Sequence, residues 1–347
     1  MLERDGRIPA ITGIGKSRGR VNLTVEDTAK YLNRPVRAVA KLMGQVGIES
    51  RGHVEKKKQV TSDLGVEALE QALEMAETDK NQLKALVFGT SSPDYLAVTT
   101  AAIVQDKLGL PTSVRVYDVG AACTGWVQAF ANTVTDLSSP YGSGGPQAAF
   151  GVETTSLFLD KRNAATALLF GDAGGVTIVD LVVPDQGAPT AMAFEFGGDG
   201  GYAKKLYVPA GGSSLPASRK TVEEHKHGLY MEGEVIKEQA VKWMVELSKK
   251  VLKKTGIPLE EVKLFVPHQA NLQIIKAAVE ELNFPMEKVI ITIGHYGNTS
   301  AASIPTSMRE AWEEGKLNRN DIVLVATFGA GLTFAAAVIP MVGLPKR

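Results

Sequence analysis

The chain of 347 residues carries a single cysteine, Cys123. An intramolecular disulfide is therefore excluded, and the fold must be held by its core. Aromatic residues are few, at 6%. Lys plus Arg and Asp plus Glu both number 38, so there is no excess of either sign. That balance removes the basic footprint expected of a general nucleic-acid binder. The local basic runs Lys56-Lys57-Lys58, Lys249-Lys250 and Lys253-Lys254 read as solvated faces. Low-complexity segments are absent. The opening stretch "MLERDGRIPAITG" has no apolar core of signal-peptide type. With one unpaired thiol, that predicts a cytoplasmic protein. One uncharged run, Ile322 to Leu344, is long enough to cross a bilayer. It is broken by "FGAG", its β-branched residues cluster on both sides of the break, and Pro340 lies near its end. Two buried strands joined by a glycine turn are predicted there, and no membrane span. Neither a phosphate loop, nor a dinucleotide fingerprint, nor a Gly-x-Ser-x-Gly elbow is present. Of the histidines His53, His225, His227, His268 and His295, only His225 and His227 are close in sequence, so no metal site is expected.

What the chain does have is a plan used twice. In the first half "GVEALEQALEMA" has helical spacing and is followed by the short apolar run "KALVFGTSS". In the second half "AVKWMVELSKKVLKKTG" is followed by "KLFVPHQAN". A further helix then comes in each half, "TAAIVQDKLGLP" and "NLQIIKAAVEELNFP", and a strand-like run, "SVRVYDV" and "KVIITI". Each half ends this series in a small-residue turn opening another helix, "GAACTG" and "GNTSAAS". Alternating helices and strands predict sheets covered by helices, and the repeat predicts duplicated halves, 1–182 and 183–347. The length has room for two units of about 170 residues each. Between them, 183–219 is rich in glycine, proline and serine and reads as long loops, with room for a short ribbon.

If the halves pack about a pseudo-twofold, the turns holding Cys123, His268 and Asn298 converge on one pocket. A free cysteine is most often a buried core residue. At a helix N-terminus, however, backbone N–H groups and the helix dipole favour a thiolate, and such settings bring cysteine pKa values down to roughly 3.5–7.5. His268 in "VPHQAN" follows a strand of buried type. Asn298 in "YGNTSAAS" suits a turn, but His and Asn side chains together are also able to donate hydrogen bonds to a carbonyl oxygen gaining charge.

These motifs resemble those of the β-ketoacyl-acyl-carrier-protein synthase III family of the thiolase superfamily. The resemblance lies in "DVGAACTGW", "VPHQANLQII", "GNTSAASIP", "LLFGDAGG" and "TFGAGLTFAAAVI", and runs from about residue 60 to the end. It implies an α/β thiolase-like fold of five αβαβα layers, with two similar halves related by a pseudo-twofold. It implies Cys123 as the acylated nucleophile, with His268 and Asn298 binding the carbonyl of a malonyl thioester as carbon dioxide leaves. The backbone N–H groups of Cys123 and Ala330 are then the second oxyanion hole. The substrates implied are thioesters of coenzyme A or acyl-carrier protein, with no separate cofactor, and the assembly implied is a homodimer. Leu96 falls near the family's acyl-pocket wall. Arg162, Lys237, Asn271 and Gln273 are the candidates for substrate or carrier binding. The family's usual Trp and Arg at the coenzyme A head correspond to Lys41 and Gln45, another Arg to Ala164, and the Arg following "PHQANL" to Gln273. An alternative within the superfamily is a non-decarboxylating acyltransferase or a hydroxymethylglutaryl-coenzyme A synthase-like enzyme.

Overall fold

The computed structural model describes residues 6–346. The first half runs through β1 (Ile8–Arg18), a small ribbon of β2 (Val21–Leu23) and β3 (Arg51–His53), and then β4 (Ala85–Gly89), β5 (Arg115–Val119), β6 (Gln147–Glu153) and β7 (Ala173–Val182). The second half has β8 (Ala193–Gly198), a ribbon of β9 (Leu206–Tyr207) and β10 (Tyr230–Met231), and then β11 (Leu264–Pro267), β12 (Ile322–Gly329) and β13 (Thr333–Pro340).

The main sheets have orders β1-β7-β6-β4-β5 and β11-β12-β13-β8. Their strand directions repeat. β1–β7 and β7–β6 are antiparallel and β6–β4 is parallel, just as β8–β13 and β13–β12 are antiparallel and β12–β11 is parallel. The duplication seen in the sequence is therefore a duplication of topology. The strand expected at "KVIITI" is reduced to one bridge, Phe265 to Val289, so the second sheet lacks a full counterpart of β5. Conversely, the segment read as loop contributes β8. Its alternating "AFEFG" pairs along the edge of β13, from Ala193 opposite Val338 to Gly198 opposite Thr333.

Helices fill three layers. Helix Gly125–Ser138 and helix Ser303–Glu313 lie between the sheets, where Trp126, Phe130, Ile304 and Met308 share one core with Val87, Ala149, Val325 and Ala337. Thr61–Met75 and Thr100–Lys107 cover the outer face of the first sheet. Gly233–Thr255 and Leu272–Leu282 cover the outer face of the second. This is the predicted αβαβα order. The uncharged run is the antiparallel pair β12–β13, whose residues are buried on both faces, and among the described residues no helix is long and apolar enough to cross a membrane.

A row of glycines brings the central layer close enough to build a site. Gly89, Gly151 and Gly175 stand side by side on β4, β6 and β7. A Cβ at Gly89 would lie 2.5 Å from the Gly125 carbonyl carbon, one at Gly151 2.2 Å from the Ala301 oxygen, and one at Gly175 2.5 Å from Pro305 Cγ. All three are closer than a real Cβ tolerates. The missing side chains let the Cys123 turn and the segment 298–305 press directly on the sheet.

Candidate active site

Four chain segments meet at Cys123. Its turn, Ala122–Thr124, is a short 3-10 segment that runs into helix Gly125–Ser138. Ala122 has a φ of 45°, a left-handed conformation rare for a side chain with a Cβ. The turn is held from the second half, where Thr327 Oγ1 donates to the Cys123 carbonyl at 3.0 Å. A Cβ on Gly329 would come within 2.8 Å of the Cys123 nitrogen, so the β12–β13 turn sits directly against the nucleophile's backbone.

His268 follows β11, and its N–H donates to the Ala326 carbonyl. Its ring is fully buried, with the edge toward Phe328 and Nδ1 2.7 Å from Ser303 Oγ. Nε2 has no protein partner among the described residues. Burial pushes the imidazole down to about 3, so it is neutral near pH 7. Asn298 is placed by a parallel bridge to Phe170, with its N–H on the Leu169 carbonyl and its own carbonyl accepting from Gly171 N–H. Its Oδ1 accepts from Ser300 N–H at 2.9 Å. That bond orients the amide, leaving its NH2 group as the end free to serve a ligand.

Two cavities of about 250 Å³ each open on Cys123. One holds His268 and Asn298 and leads outward past Asn271, Gln273, Lys237 and Gln45. Lys237 Nζ donates to Gln273 Oε1 at 3.3 Å, and Gln273 Nε2 to the Gln45 carbonyl at 3.0 Å. The other cavity is lined largely by apolar groups, including Phe158, Phe170, Leu206, Val208 and Leu229, and Ala330 borders it beside Cys123. Cys123, Phe170 and Leu206 belong to both. The sulfur thus stands at the junction of a polar approach and an apolar chamber.

Two candidate residues lie apart from the cavities of the single chain, and the thiol differs from expectation. Leu96 is 80% exposed on the loop after β4 and lines neither cavity within the single chain. Arg162 also lies outside both, drawn to Asp160 two residues earlier, with Nε 3.0 Å from each carboxylate oxygen. The Cys123 thiol is not acidified. Burial pushes it up to about 12, outweighing the hydrogen bond from Ser300, and the nearby Glu153 carboxylate acts in the same direction. A single 3-10 turn and one helix end do not replace the solvation lost by a thiolate.

Two site residues escaped the sequence reading. Glu153, the last residue of β6, is 1% exposed. Its Oε1 accepts from Ser91 N–H at 3.0 Å and Ser300 Oγ at 3.2 Å, and its Oε2 from Ser92 Oγ at 2.5 Å. Ser300 Oγ is also 3.4 Å from Cys123 Sγ. Burial raises the Glu153 carboxyl to about 7 against those hydrogen bonds. The available signal was a lone carboxylate ending an otherwise apolar strand run, "AAFGVE", at the carboxyl end where such sheets place their sites.

Duplicated halves in five layers, with a cysteine, a histidine and an asparagine converging between them, define a thiolase-fold protein. Residues 252–341 match the model of the 3-oxoacyl-[acyl-carrier-protein] synthase III C-terminal domain. The β-ketoacyl-[acyl-carrier-protein] synthase III of Syntrophomonas wolfei is 39% identical over 298 residues, covering 86% of this chain and 88% of that one. The protein of the same name from Sulfurovum is 36% identical over 303 residues, covering 87% of each. Among solved structures, the Thermus thermophilus synthase III superposes with a TM-score of 0.84 at 34% identity, covering 95% of this chain and 98% of that one. The chain belongs to the β-ketoacyl-acyl-carrier-protein synthase III family.

Proposed function

We propose that this chain joins an acyl thioester to a malonyl thioester by decarboxylative Claisen condensation, releasing a 3-oxoacyl thioester for fatty-acid or related acyl-chain synthesis. The observation that carries the proposal is the junction at Cys123, where a chamber for an acyl chain meets the cavity holding His268 Nε2 and Asn298.

In the first half-reaction Cys123 Sγ attacks the acyl carbonyl and the carrier thiol departs. The Cys123 and Ala330 backbone N–H groups receive the oxyanion, and the acyl chain lies among Phe158, Leu206, Val208 and Leu229. In the second, the malonyl carbonyl oxygen takes hydrogen bonds from the Asn298 amide and from Nε2–H of His268. That protonation is the one favoured when Ser303 Oγ–H donates to Nδ1. As the C–C bond to the carboxylate breaks, carbon dioxide leaves and the electron pair becomes an enolate held by these donors. The enolate carbon attacks the acyl-Cys123 carbonyl, and Cys123 leaves as a thiolate. A neutral His268 suits the task, since it donates without bringing a competing positive charge to the malonyl carboxylate.

Coenzyme A or acyl-carrier protein delivers the thioesters through the approach lined by Lys237, Asn271, Gln273 and Gln45. The working unit is a homodimer in the cytoplasm. In support, β5 is an edge strand and only half-buried beside the fully buried β4, and the nearby loop exposes Tyr95, Leu96 and Val98. An uncovered edge of this kind invites a second copy. The division at 182/183 belongs to the same reading.

Intact-mass spectrometry against a panel of acyl-coenzyme A and acyl-carrier thioesters tests the first step. An acyl adduct on wild type and none on Cys123→Ala are expected. Adding malonyl-acyl-carrier protein should then clear the adduct with release of carbon dioxide and a 3-oxoacyl product. No adduct with any donor, or clearance without carbon dioxide, overturns the proposal.

A further inference from the structure

The condensation leaves one proton unaccounted for, since acylation must remove it from a thiol that is buried and resists ionisation. His268 is committed to donating from Nε2 in the adjoining cavity. We propose that Ser300 and Glu153 form a proton relay that takes the Cys123 thiol proton during acylation and returns it when condensation expels the thiolate. The proposal rests on Cys123 being the acylated nucleophile.

The geometry is that of a two-state relay. Ser300 Oγ lies 3.4 Å from Cys123 Sγ and 3.2 Å from Glu153 Oε1. A hydroxyl has one proton to give and lone pairs to accept with. With Cys123 a thiol, S–H donates to Ser300 and Ser300 donates to the Glu153 carboxylate. With Glu153 protonated, its O–H donates to Ser300 and Ser300 donates to the sulfur. Shifting two protons along the chain interconverts these states without moving a heavy atom. Ser92 Oγ and Ser91 N–H hold the carboxylate in place from behind.

The step balances. Cys123 S–H, the acyl thioester and the Glu153 carboxylate give acyl-Cys123, protonated Glu153 and the carrier thiolate, which is protonated from solvent. During the acyl-enzyme's lifetime neither Cys123 nor Glu153 carries a buried charge. When the enolate displaces Cys123, the thiolate recovers the proton through Ser300 and Glu153 is again a carboxylate. Other titratable groups on the surrounding elements are engaged elsewhere. Asp94 bonds to Ser62, Asp172 to Ser156 and Val54, and His268 to Ser303. Ser300 Oγ is within reach of both Cys123 and Glu153 and links the two titratable groups. The carboxyl's position near 7 matches a group that accepts and returns a proton at neutral pH.

The sign of the pH dependence follows. Below about pH 7 Glu153 is protonated, the relay is already filled and acylation slows. Above it the carboxylate is ready and the rate levels off. The test measures the rate of Cys123 acylation by intact mass against pH, using an acyl-coenzyme A that wild type accepts. Alkylation of Cys123 by iodoacetamide is measured alongside, and needs no thioester. Glu153→Gln and Ser300→Ala are each expected to slow both reactions by roughly 100-fold and to abolish the inflection near neutrality. Glu153→Asp is expected to keep an inflection. Thermal melts establish that the variants fold, and two variants acting at different points of the relay protect against one failing to do so. If folded Glu153→Gln is modified within a few-fold of wild type with an unchanged inflection, the relay is refuted. If wild type is alkylated with the inflection but never acylated, the relay survives and the condensation reading fails.

Discussion

Replacing Ser303 by alanine separates the two half-reactions. Ser303 is 2% exposed and His268 is not exposed at all, so the 2.7 Å bond between Oγ and Nδ1 is a buried one. A buried hydrogen bond contributes about 0.5–1.5 kcal/mol net, and a buried polar atom left without its partner costs about 1–3 kcal/mol. The ring would lose both its orientation and the preference for a proton on Nε2. Weakened donation to the enolate by about 1–2 kcal/mol corresponds to decarboxylation slowed by about 5–30-fold. Acylation of Cys123 does not use that donor and is expected to stay within about twofold. The assay is carbon dioxide release from a labelled malonyl thioester, run in parallel with single-turnover acylation. Because the imidazole is pushed down to about 3, the deficit should be the same at about pH 6 and about pH 8. Equal losses in both half-reactions, or carbon dioxide release unchanged within about twofold, would refute the role given to the His268–Ser303 pair.

Two further outcomes are expected. Gly151→Ala places a Cβ 2.2 Å from the Ala301 oxygen and 2.7 Å from Trp126 Cβ, neither at the end of a flexible chain. It should destabilise the fold by about 1–3 kcal/mol and impair acylation by shifting the Ser300 segment; an unchanged melting temperature would contradict the close-packing argument. Lys237→Ala, at the polar approach to the sulfur, should raise KM for a carrier-bound thioester about 2–5-fold with kcat unchanged, and high salt should erase the difference. A change confined to kcat would count against its binding role.

Much of the fold was legible because it is written locally. The helical spacing of "GVEALEQALEMA" and "NLQIIKAAVEELNFP" and the apolar runs of β4, β11 and β12 each name an element without reference to the rest. The repeat then predicted duplicated halves, while the pairing of strands within each sheet came from the structure. β8 was missed because it lies in a stretch dominated by turn-forming residues, and its strand character is realised only on β13. "KVIITI" erred the other way. Its β-branched residues favour a strand, but the chain makes one bridge there before entering Ile293–Tyr296.

The site divides along the same line. Motif and resemblance pointed to Cys123, His268 and Asn298, and to Lys237, Asn271 and Gln273 along the polar approach. The first serine of "GNTSAAS", Ser300, was in view, but nothing local distinguished it from a turn residue. Its partners lie 177 and 147 residues away, at Cys123 and Glu153. Sequence by itself determined which groups this protein has to work with and the duplicated frame that carries them. Tertiary structure placed Leu96 and Arg162 outside both cavities of the single chain and set Glu153 behind Ser300. It also decided that the one thiol is a buried, protonated group rather than a free thiolate. Desolvation and charge proximity are set by what packs around a side chain, and that is assembled from strands and turns far apart in the chain.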